Sequence, residues 1–170
     1  MSLEAFKARV LPAKNKLYRF AFRIIGDQEE AKDIVQEVMI KVWDKRDNMH
    51  KTQNMEAWCM QITKNLCYDK LKSKAFQNSS SLPENWQLED TSSTPEGSAE
   101  MNDIMNQVHG FISNLPNKQK QVIHLRDIEG YSYKEIGDIM EIDMSQVKVN
   151  LFRARKAVRE SLLKINVYGI

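Results

Sequence analysis

Lys148, Arg153, Lys156 and Arg159 fall within a twelve-residue span near the end of the chain. Their neighbours decide what such cations could do. With a helix starting near Ser145 and turning about 100° per residue, Val147, Leu151, Ala154, Val158 and Leu162 share one narrow face. Ser145, Val149, Phe152 and Lys156 lie opposite, flanked by Lys148 and Arg159 on one side and Arg153 on the other. A solvated helix face is normally polar throughout, whereas here cations surround a Val and a Phe. A DNA major groove answers both chemistries, offering phosphates to the cations and thymine methyls to the apolar side chains. The stretch "SYKEIGDIMEIDMSQVKVNLFRARKAV", residues 132–158, supplies a helix pair to carry this face. Ser132 and Glu135 have capping-box spacing, and Ile136, Ile139 and Met140 form the buried side of the helix they open. Gly137 in mid-helix costs roughly 1 kcal/mol relative to Ala, which a close helix crossing would offset. The expected arrangement is a helix-turn-helix.

Other chemistries find little support in residue spacing. Glu30, Asp33 and Glu37 lack the Glu-x-x-His pairs of a carboxylate metal site. His50, His109 and His124 stand at no metal-ligand spacing from Cys59 and Cys67, and are expected at the surface or partly buried. No phosphate-binding glycine loop or nucleophile elbow occurs. No metal, cofactor or catalytic residue is therefore expected. Two cysteines eight residues apart on one helix suit a reducing cytoplasm, and no apolar run approaches the ~18 residues of a membrane span.

The elements that would hold these residues are all helical. Gly26 closes a helix carrying Leu17, Phe20, Ala21, Ile24 and Ile25, and Asp27 with Glu30 forms a capping box for the next. Ala31, Ile34, Val35, Val38, Met39, Val42 and Trp43 continue that stripe. A third helix is expected from about Asn54 past Leu71, burying Trp58, Ile62 and Leu66. Met101, Ile104, Met105, Val108, Phe111, Ile112 and Leu115 begin a second helical set, in which Pro116 opens a helix that Gly130 closes. The fold class is all-α, with two small helical domains joined by a flexible linker.

Charge follows the same partition. Residues 1–75 hold 15 Lys/Arg against 10 Asp/Glu, residues 76–100 hold five acids and no Lys or Arg, and residues 101–170 hold 10 basic against eight acidic side chains. The expected division is a domain at 1–76, an acidic linker at 77–99 rich in Ser, Thr and Pro, and a second domain at 100–170, each folding separately.

The tract LPNKQKQVIHLRDIEGYSYKEIGDIMEIDMSQVKVNLFRARKAVRESL closely resembles region 4 of bacterial RNA polymerase sigma factors of the extracytoplasmic-function (ECF) group. LYRFAFRIIGDQEEAKDIVQEVMIKVW and AWCMQITKNLCYDKLKSK resemble the two parts of region 2 in the same group. The resemblance implies a sigma factor that binds core RNA polymerase and directs promoter-specific initiation. Its partners would be the beta-prime coiled coil, the beta flap, promoter DNA and, as a further candidate, an anti-sigma factor. By matching position, Asp33, Gln36 and Glu37 are polymerase-binding candidates, lying off the apolar stripe. Gln61, Ile62, Lys64 and Asn65 are candidates for the minus-10 element beside the loop at residues 46–54, with Lys70, Lys72 and Lys74 on phosphates. Ser145, Lys148, Val149, Phe152, Arg153 and Lys156 are candidates for the minus-35 element. The linker would follow a positively charged polymerase channel. Four positions depart from the family pattern: Glu141 replaces a frequent Gly in the turn, Ser145-Gln146 replaces Gly-Thr, and Asn150 replaces a basic residue. A self-sufficient helix-turn-helix regulator that dimerises through the first half is the alternative function.

Overall fold

A computed structural model describes residues 1–51, 54–77 and 99–168. Eight α-helices carry the described residues: α1 Leu3–Arg9, α2 Lys14–Ile25, α3 Gln28–Asp44, α4 Met55–Gln77, α5 Ala99–Ser113, α6 Asn117–Ile123, α7 Tyr133–Met140 and α8 Met144–Tyr168. Short 3-10 turns occupy Leu11–Ala13 and Arg46–Lys51, and a π-helical turn at His124–Ile128 extends α6. Most of the expected linker, residues 78–98, lies outside the described residues, as do residues 52 and 53 of the 46–54 loop.

Local chemistry sets the element ends. Ser2 caps α1 by accepting from the Ala5 N–H at 3.1 Å, and Gly26 closes α2 at φ 77°, a left-handed turn that glycine adopts without cost. Asp27 caps α3, accepting from the Glu30 N–H at 2.9 Å. The reciprocal half of the expected box is not made, because the Glu30 carboxylate turns away to pair with Lys74 of α4. Asn54 caps α4 through the Ala57 N–H at 3.0 Å. Pro116 stands at the N-cap of α6, and Gly130 takes φ 82° after the π-turn.

The first bundle closes where the apolar stripes of α2, α3 and α4 meet. Leu17, Phe20, Ala21, Ile24 and Ile25 face Ala31, Ile34, Val35, Val38 and Val42, all buried, each large side chain stabilising the fold by ~1.5–3 kcal/mol. Phe6 of α1 covers one end, its ring edge-on to Trp43 at 5.3 Å. The second group forms around α8, against which α5, α6 and α7 pack. Ile136, Ile139 and Met140 of α7 meet Val147, Leu151, Ala154 and Val158 of α8. A Cβ at Gly137 would lie 3.1 Å from the Ile142 carbonyl oxygen and 3.9 Å from Val147 Cγ2. The glycine therefore serves the tight return of the chain more than the helix crossing itself.

The two groups rest against each other, α7 on α4 and α6 with its π-turn on α2. Because α4 is covered on both sides, it buries Met55, Ala57, Cys59, Met60, Thr63, Lys64, Leu66, Cys67 and Leu71. The expected trio is thereby revised: Leu66 is buried, but Trp58 and Ile62 are only half-buried. A single stripe cannot describe a helix with two apolar neighbours. Cys59 and Cys67 are free thiols inside this core, and burial pushes the Cys59 thiol up to about 12 and raises Cys67 as well.

Polar side chains stitch the seam between the groups. Arg19 donates to both Glu129 carboxylate oxygens, at 2.6 and 3.0 Å, and Tyr131 Oη donates to Glu56 at 2.8 Å while Lys16 pairs with the same carboxylate at 2.8 Å. Tyr68 Oη donates to Gln121 Oε1 at 2.9 Å, and Asn54 Nδ2 to Glu135 Oε2 at 2.7 Å. Arg23 donates to His124 Nδ1 at 3.1 Å, to the His109 carbonyl at 3.2 Å and to Ser113 Oγ at 2.9 Å. His124, expected at the surface or partly buried, is 2% exposed and stacks on Phe20. Its position opposite Arg23, 101 residues away in sequence, is what removes it from water. Lys120 is buried beside it, and desolvation, with the Arg23 charge, lowers its ammonium to about 8.

Two outcomes follow from this packing. Gly137→Val should destabilise the chain by about 1–3 kcal/mol in urea unfolding, by driving Cβ into the turn backbone. Burial first, then the charges of Arg23, Arg19 and His109, hold His124 well below its ordinary value of 6.5. The folded chain thus keeps this imidazole neutral while the unfolded chain protonates it near 6.5. The stabilisation is complete above about pH 7 and declines as pH falls toward 5. Thermal denaturation should show Tm falling across that window, and His124→Gln should flatten the dependence.

Candidate nucleic-acid interface

The turn between α7 and α8 is built from its caps outward. Both halves of the Ser132–Glu135 box form: the Glu135 N–H donates to Ser132 Oγ at 3.1 Å, and the Ser132 N–H to Glu135 Oε1 at 2.9 Å. These bonds, with that from Asn54, hold the Glu135 carboxyl below its usual range. Glu141 ends α7 at φ 57° and ψ 44°, the sole positive φ outside glycine among the described residues. That conformation explains why glycine suits this position, since a Cβ there meets the following backbone. Asp143 then caps α8, accepting from the Gln146 N–H at 2.9 Å and from the Ser145 hydroxyl at 2.7 Å. Ser145 is therefore partly committed to the cap. The spacing of Asp143 and Gln146 was the available signal for a helix start at Met144, one residue earlier than expected.

Beyond the cap, α8 divides as its spacing predicts. Val147 and Ala154 are fully buried, Leu151 is nearly so, and Val158 stands at the margin of the core. On the outer face Ser145, Lys148, Val149, Phe152, Arg153 and Lys156 are all exposed, Phe152 to 67%. A shallow groove of about 300 Å³ runs along this face, lined by Tyr133, Lys148, Phe152, Arg155, Lys156 and Arg159. Tyr133 and Arg155 were not expected there. Arg155 is fixed by two hydrogen bonds to Asp127, at 2.6 and 3.0 Å, and Arg126 stacks over the Tyr133 ring at 4.9 Å. Asn150, which replaces a basic residue in the family pattern, spends its amide on the Gln146 carbonyl at 2.8 Å.

The other candidate groups lie on the first bundle. Asp33, Gln36 and Glu37 are exposed on one side of α3, and Ile40 on the same side is 60% exposed. Sequence reasoning missed Ile40, whose spacing of seven from Asp33 places it in line with the acids. On α4, Asn65 is exposed, whereas Gln61 and Ile62 are half-buried and Lys64 is 3% exposed. Gln61 donates to the Glu141 carboxylate, and Lys64 Nζ lies 3.8 Å from its other oxygen. Burial lowers the Lys64 ammonium pKa and Glu141 opposes that shift. The structure thus brings Gln61 and Lys64 together under the α7–α8 turn and leaves Asn65 apart from them in solvent. Asn54, Ala57, Trp58, Gln61, Lys134 and Asp138 line a cavity of about 400 Å³ between α4 and α7. Lys72 and Lys74 are exposed, Lys74 paired with Glu30, and Lys70 is half-buried.

A helical bundle followed by a helix-turn-helix that presents a cationic, Phe-bearing face defines a DNA-reading protein of two parts. Residues 11–77 match the family model for sigma-70 region 2, and residues 105–158 match that for sigma-70 region 4. The ECF RNA polymerase sigma factor SigW of Bacillus subtilis is 29% identical over 167 residues, spanning 94% of this chain and 89% of that protein. The RNA polymerase sigma-H factor of Pseudomonas aeruginosa is 27% identical, spanning 93% of this chain and 86% of that protein. The sigma factor RpoE of Bartonella quintana, solved in complex with the anti-sigma factor NepR, superposes with a TM-score of 0.79 at 25% identity, covering 94% of this chain and 98% of that one. The chain belongs to the sigma-70 family, within its ECF group.

Arg153 and Arg155 separate surface from scaffold. Arg153→Ala should leave urea stability within about 0.5 kcal/mol, while Arg155→Ala, which releases Asp127, should lower it by about 1 kcal/mol.

Proposed function

We infer that this chain is a promoter-specificity subunit: it binds core RNA polymerase and directs DNA-dependent transcription initiation from chosen promoters. The observation that carries the reading is the order of the two family matches, region 2 across α2–α4 and region 4 across the helix-turn-helix. Formation of the phosphodiester bond belongs to the polymerase, and the chain contributes recognition and strand capture in the cytoplasm where that enzyme works. No described helix is long and apolar enough to cross a membrane.

Division of labour follows the faces described above, with residues 1–76, the acidic tether at 77–99 and residues 100–170 as its units. Asp33, Gln36 and Glu37, with Ile40 beside them, offer carboxylates and an apolar contact to the polymerase coiled coil. Lys148, Arg153 and Lys156 hold phosphates at the minus-35 element, while Val149, Phe152 and Ser145 meet base edges. At the minus-10 element, an unstacked base costs a few kcal/mol unless it finds a new partner. Asn65 supplies an amide that both donates and accepts, beside Gln61, Ile62 and Lys64. The likeness to RpoE of Bartonella quintana, solved with the anti-sigma factor NepR, supports an inhibitor of that kind as a further partner. The dimeric-regulator alternative is not favoured, since region 2 occupies the half it would use for pairing.

Run-off transcription with core polymerase on a genomic promoter library tests the assignment. Promoter-specific transcripts that need both core enzyme and this chain are expected, and none across the library overturns it. Arg153→Ala should weaken minus-35 binding and reduce its salt slope by about one. Asn65→Ala should slow opening in permanganate footprints while duplex binding stays near wild type.

A further inference from the structure

The side chains that face one another across the seam are unevenly charged. The first bundle contributes Lys16, Arg19, Arg23 and Lys64 with the single acid Glu56, and the second contributes Glu129, Glu135 and Glu141 with the single cation Lys120. Glu141 occupies a particular place among these acids. It stands at the tip of the DNA-reading turn, and its carboxylate takes the Gln61 amide on one oxygen and the Lys64 ammonium on the other. A phosphate or a base carbonyl would make the same demands on Gln61 and Lys64. Gln61 is turned toward the Glu141 carboxylate, and Lys64 at 3% exposure has no route to a strand while the turn covers it. Glu135 likewise occupies Asn54 at 2.7 Å, at the rim of the cavity between α4 and α7. Asn65, one helical turn beyond Gln61, stays open.

We propose that the α7–α8 turn is a built-in occupant of the single-strand face of α4, with Glu141 standing in for nucleic acid, so that docking of the two halves and strand capture exclude each other. This rests on the assignment of Gln61 and Lys64 to the minus-10 strand. Its consequence is a chain that switches itself off by its own DNA-reading module and is released when a stronger anion, or a surface that separates the halves, takes the place of Glu141. Glu141 holds a left-handed backbone that L side chains rarely adopt. The residue is thus retained at a position where glycine would fit the turn better and would carry no carboxylate.

The test uses the full chain and a fluorescent mixed-sequence single-stranded DNA of about 20 nucleotides. Glu141→Gly, which suits the turn, should bind this probe about tenfold more tightly than wild type, because two donors are freed. Glu29→Gln, the loss of an equal charge on the exposed start of α3, should change affinity less than about twofold. Asn54→Cys with Glu135→Cys, joined by a short thiol-reactive linker, should bind at least about tenfold more weakly than the same protein before linking. Wild type treated with the linker is the control, its two thiols being buried. Equal affinity of Glu141→Gly and wild type, or of linked and unlinked protein, overturns the proposal. Run-off transcription on the same preparations reports the sigma-factor reading separately. Transcription with unaltered probe binding sinks the switch alone, whereas absent transcription with altered probe binding leaves the switch and sinks the promoter assignment.

Discussion

Arg19 reaches out of α2 and grips both oxygens of Glu129, whose side chain has no exposed surface. A carboxylate so placed is tolerable only while its cation is present, since removing one partner of a buried pair leaves an uncompensated charge. That condition pins together two helical groups whose buried apolar side chains form one continuous core. Once Glu129 is held, the π-turn lies along α2, His124 is pressed onto Phe20, and α7 is laid across α4. The covering of α4 is then decided by a contact between residues more than a hundred apart in sequence.

The seam is apolar and polar at once. Beside the apolar side chains of the shared core, its ties are hydrogen bonds and ion pairs, whose net worth is about 0.5–1.5 kcal/mol each because water replaces them on separation. Within it, His124 Nε2 and Gln121 Nε2 have no hydrogen-bond partner among the described residues, and Lys120 is held out of water against its charge. These costs subtract from what the apolar contacts contribute. A seam with such internal opposition holds the halves together without welding them.

Much of this was legible in the sequence where structure is local. The α8 stripe, the Ser132–Glu135 box, the Gly26 stop and the exposed row of Lys148, Phe152, Arg153 and Lys156 all follow from spacing within a few turns of helix. What escaped was set by partners distant in the chain. Glu30 has the right spacing for a reciprocal cap but finds Lys74, 44 residues on. His124 and Lys64 carry side chains that favour water and are buried because Arg23 and Glu141 come from the other group. Trp58 is apolar by type yet lines an open cavity, since α7 faces α4 there with the charged residues Lys134, Glu135 and Asp138. No periodicity within one helix encodes which helix will lie upon it.

The two thiols of α4 are buried in the core, and burial pushes Cys59 up to about 12 and raises Cys67 as well. Peroxide attacks thiolates, so neither side chain offers it a target while the fold is closed. An oxidant reaches them only where the helices part.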